Sequence, residues 1–447
     1  MDLTMAGELR AEMSGKVLTR DDDGFAEAGN IWNGAVNVQP ALFALCETAS
    51  DVQAAVRAAN KHDVPLSVRG GGHDWAGRSL RHNGLVIDLT RMRGVEVDAA
   101  AEVATVQGGA QAGDLTVAAA EHGLAAVTGI VAQVGLTGLT LGGGYGVMST
   151  RYGLALDNML GAEVVLADGR LVTADETQNA DLFWAVRGGG GNFGVVTSMR
   201  VRLHPVRTVV SGPIIFPWNE AAQVLQGLDE VLAAAPDDLG VTGGIVPSPQ
   251  GGTVLVVSPT WFGEAAAEAA EIAKIQELGH PVVNQIGPVP YAELTKMADA
   301  QVVNGRHNTA RTRWLASLPP GAISALVAAG DTRPSPFSVI TWQYFHGAAA
   351  RVPLTSTAFG LRSNHYMFQI IPAWEPGEDG APHRAWADKT SGALAAYALP
   401  GGYPNLLVAE DHDQVAHAYG DNAARLREVK QQFDPANVFS SATPLPD

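Results

Sequence analysis

The sequence predicts an α+β protein built in two units, and three features predict it. Short apolar strands alternate with helical stretches from Pro40 to about Pro205. From Val209 the texture changes to Ala-rich amphipathic helices separated by strand-like runs, the pattern of helices covering an antiparallel sheet. A last helix, Asp421 to Phe433, is stopped by Asp434-Pro435, because proline disfavours helical geometry in the residue before it. The chain divides on this reading at 36–208, 209–402 and 403–447, the last segment returning to the first unit.

Taken in order, Asp51 to Asn60 reads as a helix capped by Ser50 or Asp51. Val64 to Val68, Leu85 to Asp88 and Val103 to Val106 read as strands. Asp114 is expected to cap a helix that runs to Ala120 and stops near Gly123. Glu163–Ala167 and Arg170–Thr173 flank Asp168-Gly169, a hairpin signal in which both turn residues are expected to take positive φ. In the second unit, Asn219–Ala235 and Glu264–Leu278 read as helices, and Thr253–Val257 as a strand between them.

Composition narrows the function classes. The 447 residues are 46% hydrophobic and 17% charged, with a formal net charge of −17. Binding a nucleic acid releases counterions only where Lys and Arg neutralise phosphates, and 29 basic residues against 46 acidic ones argue against it. An acidic surface also repels anionic membranes, and no stretch approaches the roughly 18 apolar residues of a membrane span. The mixed polar start from Met1 to Arg20 lacks a signal peptide's apolar run, so a soluble, cytoplasmic protein is expected. Cys46 is the sole cysteine, set in an apolar run and expected to be buried. His62, His82 and His122 are expected at the surface, and no His/Cys/carboxylate spacing suggests a metal site.

Glycine is concentrated at 70–72, 142–146 and 188–194. Gly189-x-Gly191-x-x-Gly194 matches the dinucleotide fingerprint as a string, but the strand and helix around it come in the wrong order, so a Rossmann reading is set aside. Arg69-Gly70-Gly71-Gly72-His73 follows a strand. Successive glycines let backbone N–H groups close on a phosphate, although such a run also reads as a mobile loop with a solvated histidine. The apolar run Gly135 to Gly146 suits backbone laid against a large planar ligand, or equally tight packing.

These motifs together resemble a known family. Val68-Arg69-Gly70-Gly71-Gly72-His73 is followed by Val134-Gly135-x-x-Gly138-x-x-x-Gly142-Gly143-Gly144-Tyr145-Gly146 and Tyr152-Gly153-Leu154-x-x-Asp157-Asn158. Asp181-Leu182-Phe183-Trp184-Ala185-x-Arg187-Gly188 and a closing Tyr419-Gly420-x-Asn422 to Phe433-Asp434-Pro435-x-Asn437-x-Phe439 complete the order. The chain resembles, from about residue 35 onward, the berberine-bridge-enzyme-like branch of the FAD-linked oxidases with the vanillyl-alcohol-oxidase (PCMH-type) fold. The resemblance implies a two-part PCMH-type FAD-binding domain and a substrate domain whose antiparallel sheet is covered by helices. It implies FAD bonded to the imidazole of His73 and cradled by Arg69, Gly70, Gly71 and Gly72. It further implies cofactor contacts from Asp74, Ser79, Val131, Gly135, Thr137, Gly138, Gly142, Gly143, Tyr145, Gly146, Asn158, Val196, Asn405 and Asn422.

One departure matters. Relatives with a second flavin bond carry a cysteine in Gly-x-Cys-x-x-Val-Gly, and here Val131 holds that position in Gly129-Ile130-Val131-Ala132-Gln133-Val134-Gly135. A single covalent bond, through His73 only, is therefore expected. The family's chemistry is hydride transfer from an alcohol, sugar or amine C–H to flavin. In the family a small Val at the position of Val134 accompanies reoxidation by O2 and a bulkier Leu accompanies dehydrogenases, so the resemblance implies an oxidase giving hydrogen peroxide; a dehydrogenase using another acceptor and a flavin-scaffolded, non-redox cyclase of secondary metabolism are the alternatives. Tyr403 is the first candidate for the base and His346 the second. Arg362, His365 and Tyr366 form a polar run without an assigned role. A small-molecule substrate and O2 are the expected partners; the oligomeric state is left open.

Overall fold

The computed structural model describes residues 3–446. Its first sheet has four strands in the order Lys16–Thr19, Leu42–Leu45, Leu85–Asp88, Leu66–Arg69. The last three are parallel, and Lys16–Thr19 adds an antiparallel edge. Helix Ala49–Lys61 makes the crossover between Leu42–Leu45 and Leu66–Arg69. Its N-cap is Thr48, whose side chain accepts the Asp51 N–H, while the expected Asp51 closes the capping box by accepting the Thr48 N–H; the expected Ser50 lies inside the helix. The Asp51 carboxylate gathers N–H groups from Ser14, Gly15, Glu47 and Thr48, which ties the N-terminal segment to the crossover. Helix Leu3–Glu12 buries Met5, Ala6 and Leu9 in the same core as Val52 and Val56, so residues before 36 are part of this layer.

The second sheet has five antiparallel strands, ordered Val95–Asp98, Val103–Gln107, Val195–Arg202, Met159–Val165, Leu171–Ala174. In the hairpin that joins the last two, only Gly169 takes a positive φ, 82°, and Asp168 does not. The Asp168 carboxylate accepts the Arg170 N–H, which stabilises the turn without left-handed geometry at Asp168. Asp114 caps its helix from the inside: Gln111 is the N-cap of Ala112–Glu121, and the Asp114 carboxylate accepts the Gln111 backbone N–H as the third-position half of a capping box.

The third sheet is antiparallel and holds Val283–Asn284, Ile214–Pro217, Thr253–Trp261, Leu239–Pro247, Val339–Phe345, His365–Ile371 and Arg311–Leu315 in that order, with Thr208–Ser211 and Gly287–Pro290 at one end. Strand side chains alternate between faces. Trp342, Tyr366 and Phe368 face a core with Leu225, Leu228 and Leu326 from helices Ala221–Ala233 and Pro320–Asp331. Gln343, Met367 and Gln369 therefore point the other way, toward the two smaller sheets. Helix Ala423–Phe433 packs Leu426 into the core of the second sheet beside Phe183 and Trp184, and Lys430 Nζ donates to the carbonyls of Asn192 and Phe439.

Candidate functional site

A cleft of ≈ 350 Å³ lies where the three sheets meet. That is within the roughly 300–1,000 Å³ usual for small-molecule sites. One wall is the turn after strand Leu66–Arg69. Gly70, Gly71 and Gly72 expose backbone there, and Gly72 takes φ 67°, a conformation side chains resist. Gly71 packs directly on Gly135: a methyl group on Gly71 would lie 2.5 Å from Gly135 N and 2.6 Å from its Cα. Glycine at both positions lets the two loops touch and form one continuous wall. Helix Leu136–Gly142 begins at this contact and lends Thr137 and Gly138 to the cleft. A methyl on Gly138 would meet nothing within 4 Å.

His73 stands at the end of the glycine turn. Its imidazole stacks on the Trp32 indole, centroids 4.2 Å apart at 11°, and Trp75 packs edge-on against Trp32 at 4.7 Å. Burial pushes the His73 imidazole down to about 4, so the ring is neutral at pH 7. Its Nε2 is buried with no hydrogen-bond partner, as are Ser79 Oγ and Thr137 Oγ1. Buried polar atoms are usually paired, and these three belong to residues that line the cleft, where a polar ligand would pair them.

The opposite wall carries Gln343, Met367 and Gln369 from the third sheet, with Tyr145, Tyr403, Asn405 and Leu406. The Tyr403 phenol oxygen accepts N–H groups from Gly144 at 3.1 Å and from Asn405 Nδ2 at 2.9 Å. Burial raises the Tyr403 phenol above its ordinary range, and those two donors pull it part of the way back. Tyr145 lies edge-on to Tyr403 at 4.9 Å, and its hydroxyl is 2.8 Å from His365 Nε2. Burial holds the Tyr145 phenol protonated and the His365 imidazole, pushed down to about 3, neutral. The charged pair in the cleft is self-neutralised: Arg78 Nη2 and Nε both reach Asp74 Oδ1, at 3.0 and 3.1 Å.

The cleft thus brings together His73, Gly70, Gly71, Gly72, Asp74, Ser79, Val131, Gly135, Thr137, Gly138, Tyr145, Val196, Tyr403 and Asn405. Seven expected site residues do not line it. The Arg69 guanidinium turns away, donating to the carbonyls of Ala28 and Asn30 and lying 3.6 Å from Asp88. Asn158 brackets its own loop through Tyr152 O and Leu154 O. Asn422 holds the carbonyls of Leu354, Thr357 and Phe359. Gly142, Gly143 and Gly146 give clearance one layer back, to Asn405, Tyr403 and Thr128 respectively. His346 is 2% exposed, with Nε2 3.0 Å from Leu239 O, so its imidazole is spent inside the second unit.

Trp32, Trp75, Gln343, Met367 and Gln369 were missed by sequence reasoning. The glutamines had a usable signal: alternation along Val339–Phe345 puts Trp342 and Tyr344 on one face and Gln343 on the other. Trp32 had none, since it lies in an unpatterned stretch. Among the described residues no group of His, Cys, Asp and Glu could hold a metal ion, and no helix is long and apolar enough to cross a membrane. Cys46 is buried, and burial raises its thiol well above the usual range.

Residues 40–175 match the family described as FAD binding domain, and residues 402–446 the family described as berberine and berberine like. The chain is 32% identical to (R)-6-hydroxynicotine oxidase of Paenarthrobacter nicotinovorans, over 97% of this chain and 98% of that one. Its structure is similar to that of 6-hydroxy-D-nicotine oxidase from Arthrobacter nicotinovorans (TM-score 0.87, 30% identity, 97% and 98% of the two chains). It is also similar to glucooligosaccharide oxidase from Acremonium strictum, which carries a 6-S-cysteinyl, 8α-N1-histidyl FAD (TM-score 0.85, 25% identity, 97% of each chain).

Proposed function

The chain belongs to the berberine-bridge-enzyme-like FAD-linked oxidoreductases of the vanillyl-alcohol-oxidase (PCMH-type) fold, and from that premise we propose that it oxidises a neutral alcohol, sugar or amine on FAD bonded to His73 alone. The observation that carries the attachment is the unpaired, buried Nε2 of a neutral imidazole on the wall of the cleft. A neutral nitrogen keeps the lone pair that an N–C bond requires, and an alkyl group there would end its lack of a partner. Val131 lines the same cleft and offers no nucleophile, which supports one bond where glucooligosaccharide oxidase has two.

Bound in the cleft, FAD supplies hydride-accepting, two-electron chemistry. The chain supplies position and a surface whose charged pair, Asp74–Arg78, is internally neutralised. The glycine backbones at 70–72 present N–H groups suited to a pyrophosphate. Thr137 Oγ1 and Ser79 Oγ are further unpaired groups for a polar cofactor. Gln343 and Gln369 offer amides to substrate hydroxyls or nitrogens, and the Asp74–Arg78 pair leaves no free charge to attract an ionic substrate.

Tyr403, on the cleft wall, is the residue we assign to take the substrate's O–H or N–H proton. The Gly144 and Asn405 donors stabilise a negative phenol oxygen, while burial opposes ionisation, so the base gains strength as pH rises. Val134 is on the cleft wall, and by resemblance to the family a small residue at that position favours O2 as the acceptor. The test is an anaerobic screen of neutral alcohols, sugars and cyclic amines by bleaching of the flavin absorbance, followed by air. Bleaching and stoichiometric peroxide support the reading. Turnover without bleaching refutes it, and bleaching that only a dye can reverse replaces the oxidase with a dehydrogenase.

A further inference from the structure

The N-terminal segment before residue 36 lies outside the matched FAD-binding residues 40–175, yet it supplies the ring that covers His73. Trp32 is only 8% exposed. Its backbone is fixed on both sides: its N–H donates to Gly72 O at 3.0 Å, and its carbonyl accepts from Gly305 at 2.9 Å. The next residues are stitched down as well. Asn33 Nδ2 donates to the carbonyls of Trp75 and Asn308, Asn33 Oδ1 accepts the Asn308 N–H, and Gly34 donates to Arg306 O. From the other side, the Arg69 guanidinium grips the carbonyls of Ala28 and Asn30. The strand that delivers the glycine turn thus also anchors the segment that carries Trp32.

This investment holds an aromatic face parallel to the His73 imidazole and makes no polar contact of its own, since Trp32 Nε1 is buried without a partner. What remains is the flat surface, which restricts the imidazole to one orientation and excludes water from it.

Resting on the attachment proposed above, we propose that Trp32 is a positioning residue for covalent attachment of FAD at His73. Attachment joins an imidazole nitrogen to the methyl carbon of FAD. One methyl C–H bond and the imidazole N–H bond break, two electrons and both protons pass to the flavin ring, and O2 removes them as hydrogen peroxide. The rate of such a step depends on the fraction of time the nitrogen is aligned, and alignment is what the indole provides.

The experiment compares Trp32→Phe and Trp32→Leu with the wild type. Each purified protein is assayed for total bound flavin by absorbance and for acid-stable flavin by precipitation and in-gel fluorescence. Phenylalanine keeps a stacking face and deletes an unsatisfied N–H, so W32F retains wild-type covalent flavin. Leucine fills the space without a flat face, so in W32L the ratio of covalent to releasable flavin falls at least about tenfold while total flavin stays near wild type. Acid-stable flavin in W32L at the wild-type level overturns the proposal, as does equal loss of total flavin in both variants, which marks a folding role. Flavin released from the wild type by acid defeats the attachment at His73 itself, so the two failures are distinguishable.

Discussion

Replacing Gly71 with alanine tests whether the two glycine loops form one wall. The new methyl would lie 2.5 Å from the Gly135 nitrogen and 2.6 Å from its Cα, and both are backbone atoms that no rotamer change can move. Restoring ordinary contact requires the loops to part by roughly 1 Å, and overpacking of that kind costs about 1–3 kcal/mol. Gly138→Ala is the matched control: it meets nothing within 4 Å and sits inside helix Leu136–Gly142. Exchanging glycine for alanine in a helix gains up to about 1 kcal/mol. The two variants are purified side by side, and thermal melting and flavin per chain are measured. G71A melts lower and holds less flavin. G138A melts at or above the wild type but also loses flavin, because its methyl projects into the cleft. A G71A protein with wild-type melting and full flavin refutes the wall, and a G138A protein with unchanged flavin refutes the placement of the cofactor against it.

Tyr403→Phe removes the proposed base but keeps the ring, so flavin content holds while turnover falls by about 10²–10⁴. In the wild type, kcat/KM rises as pH increases toward the raised phenol range, and this alkaline rise is absent from Y403F; a pH profile shared by both proteins rejects the role. Gln343→Leu and Gln369→Leu each raise KM for a hydroxylated substrate, by roughly tenfold for one lost hydrogen bond, with little change in flavin content. Asp157 and Arg362 form a two-contact ion pair, both bonds 2.8 Å, with side chains 8% and 5% exposed. Asp157→Ala strands the guanidinium and lowers stability by about 3–5 kcal/mol in denaturant unfolding, whereas an exposed pair such as Arg170–Asp168 is worth less than about 1 kcal/mol.

What the sequence made legible follows from where its signals are local. Glycine runs announce themselves because only glycine tolerates the Gly71–Gly135 approach and the positive φ of Gly72, so a special backbone beside His73 was legible, while its role as a cradle came from the family resemblance. The Ala-rich helices and the strand at Thr253 also emerged, since their periodicity is set by burial on one face. The capping acids were legible but not the N-cap positions: Thr48 and Gln111 take those, and Asp51 and Asp114 close each capping box from the third helical position. Roles that depend on contacts between distant segments left no local trace. Trp32 reaches His73 across forty residues, and His346 turns toward Leu239 on a neighbouring strand, not toward the cleft. Asn158 and Asn422 carry family motifs, yet their side chains hold loops behind the wall.

The most direct test of the account is peptide mass spectrometry of the protein as purified, after acid precipitation and trypsin. One flavin-bearing peptide is expected, with the modification on His73 and none elsewhere, and it disappears in His73→Ala. Finding every trace of yellow in the acid supernatant, with the His73 peptide unmodified, would contradict this expectation.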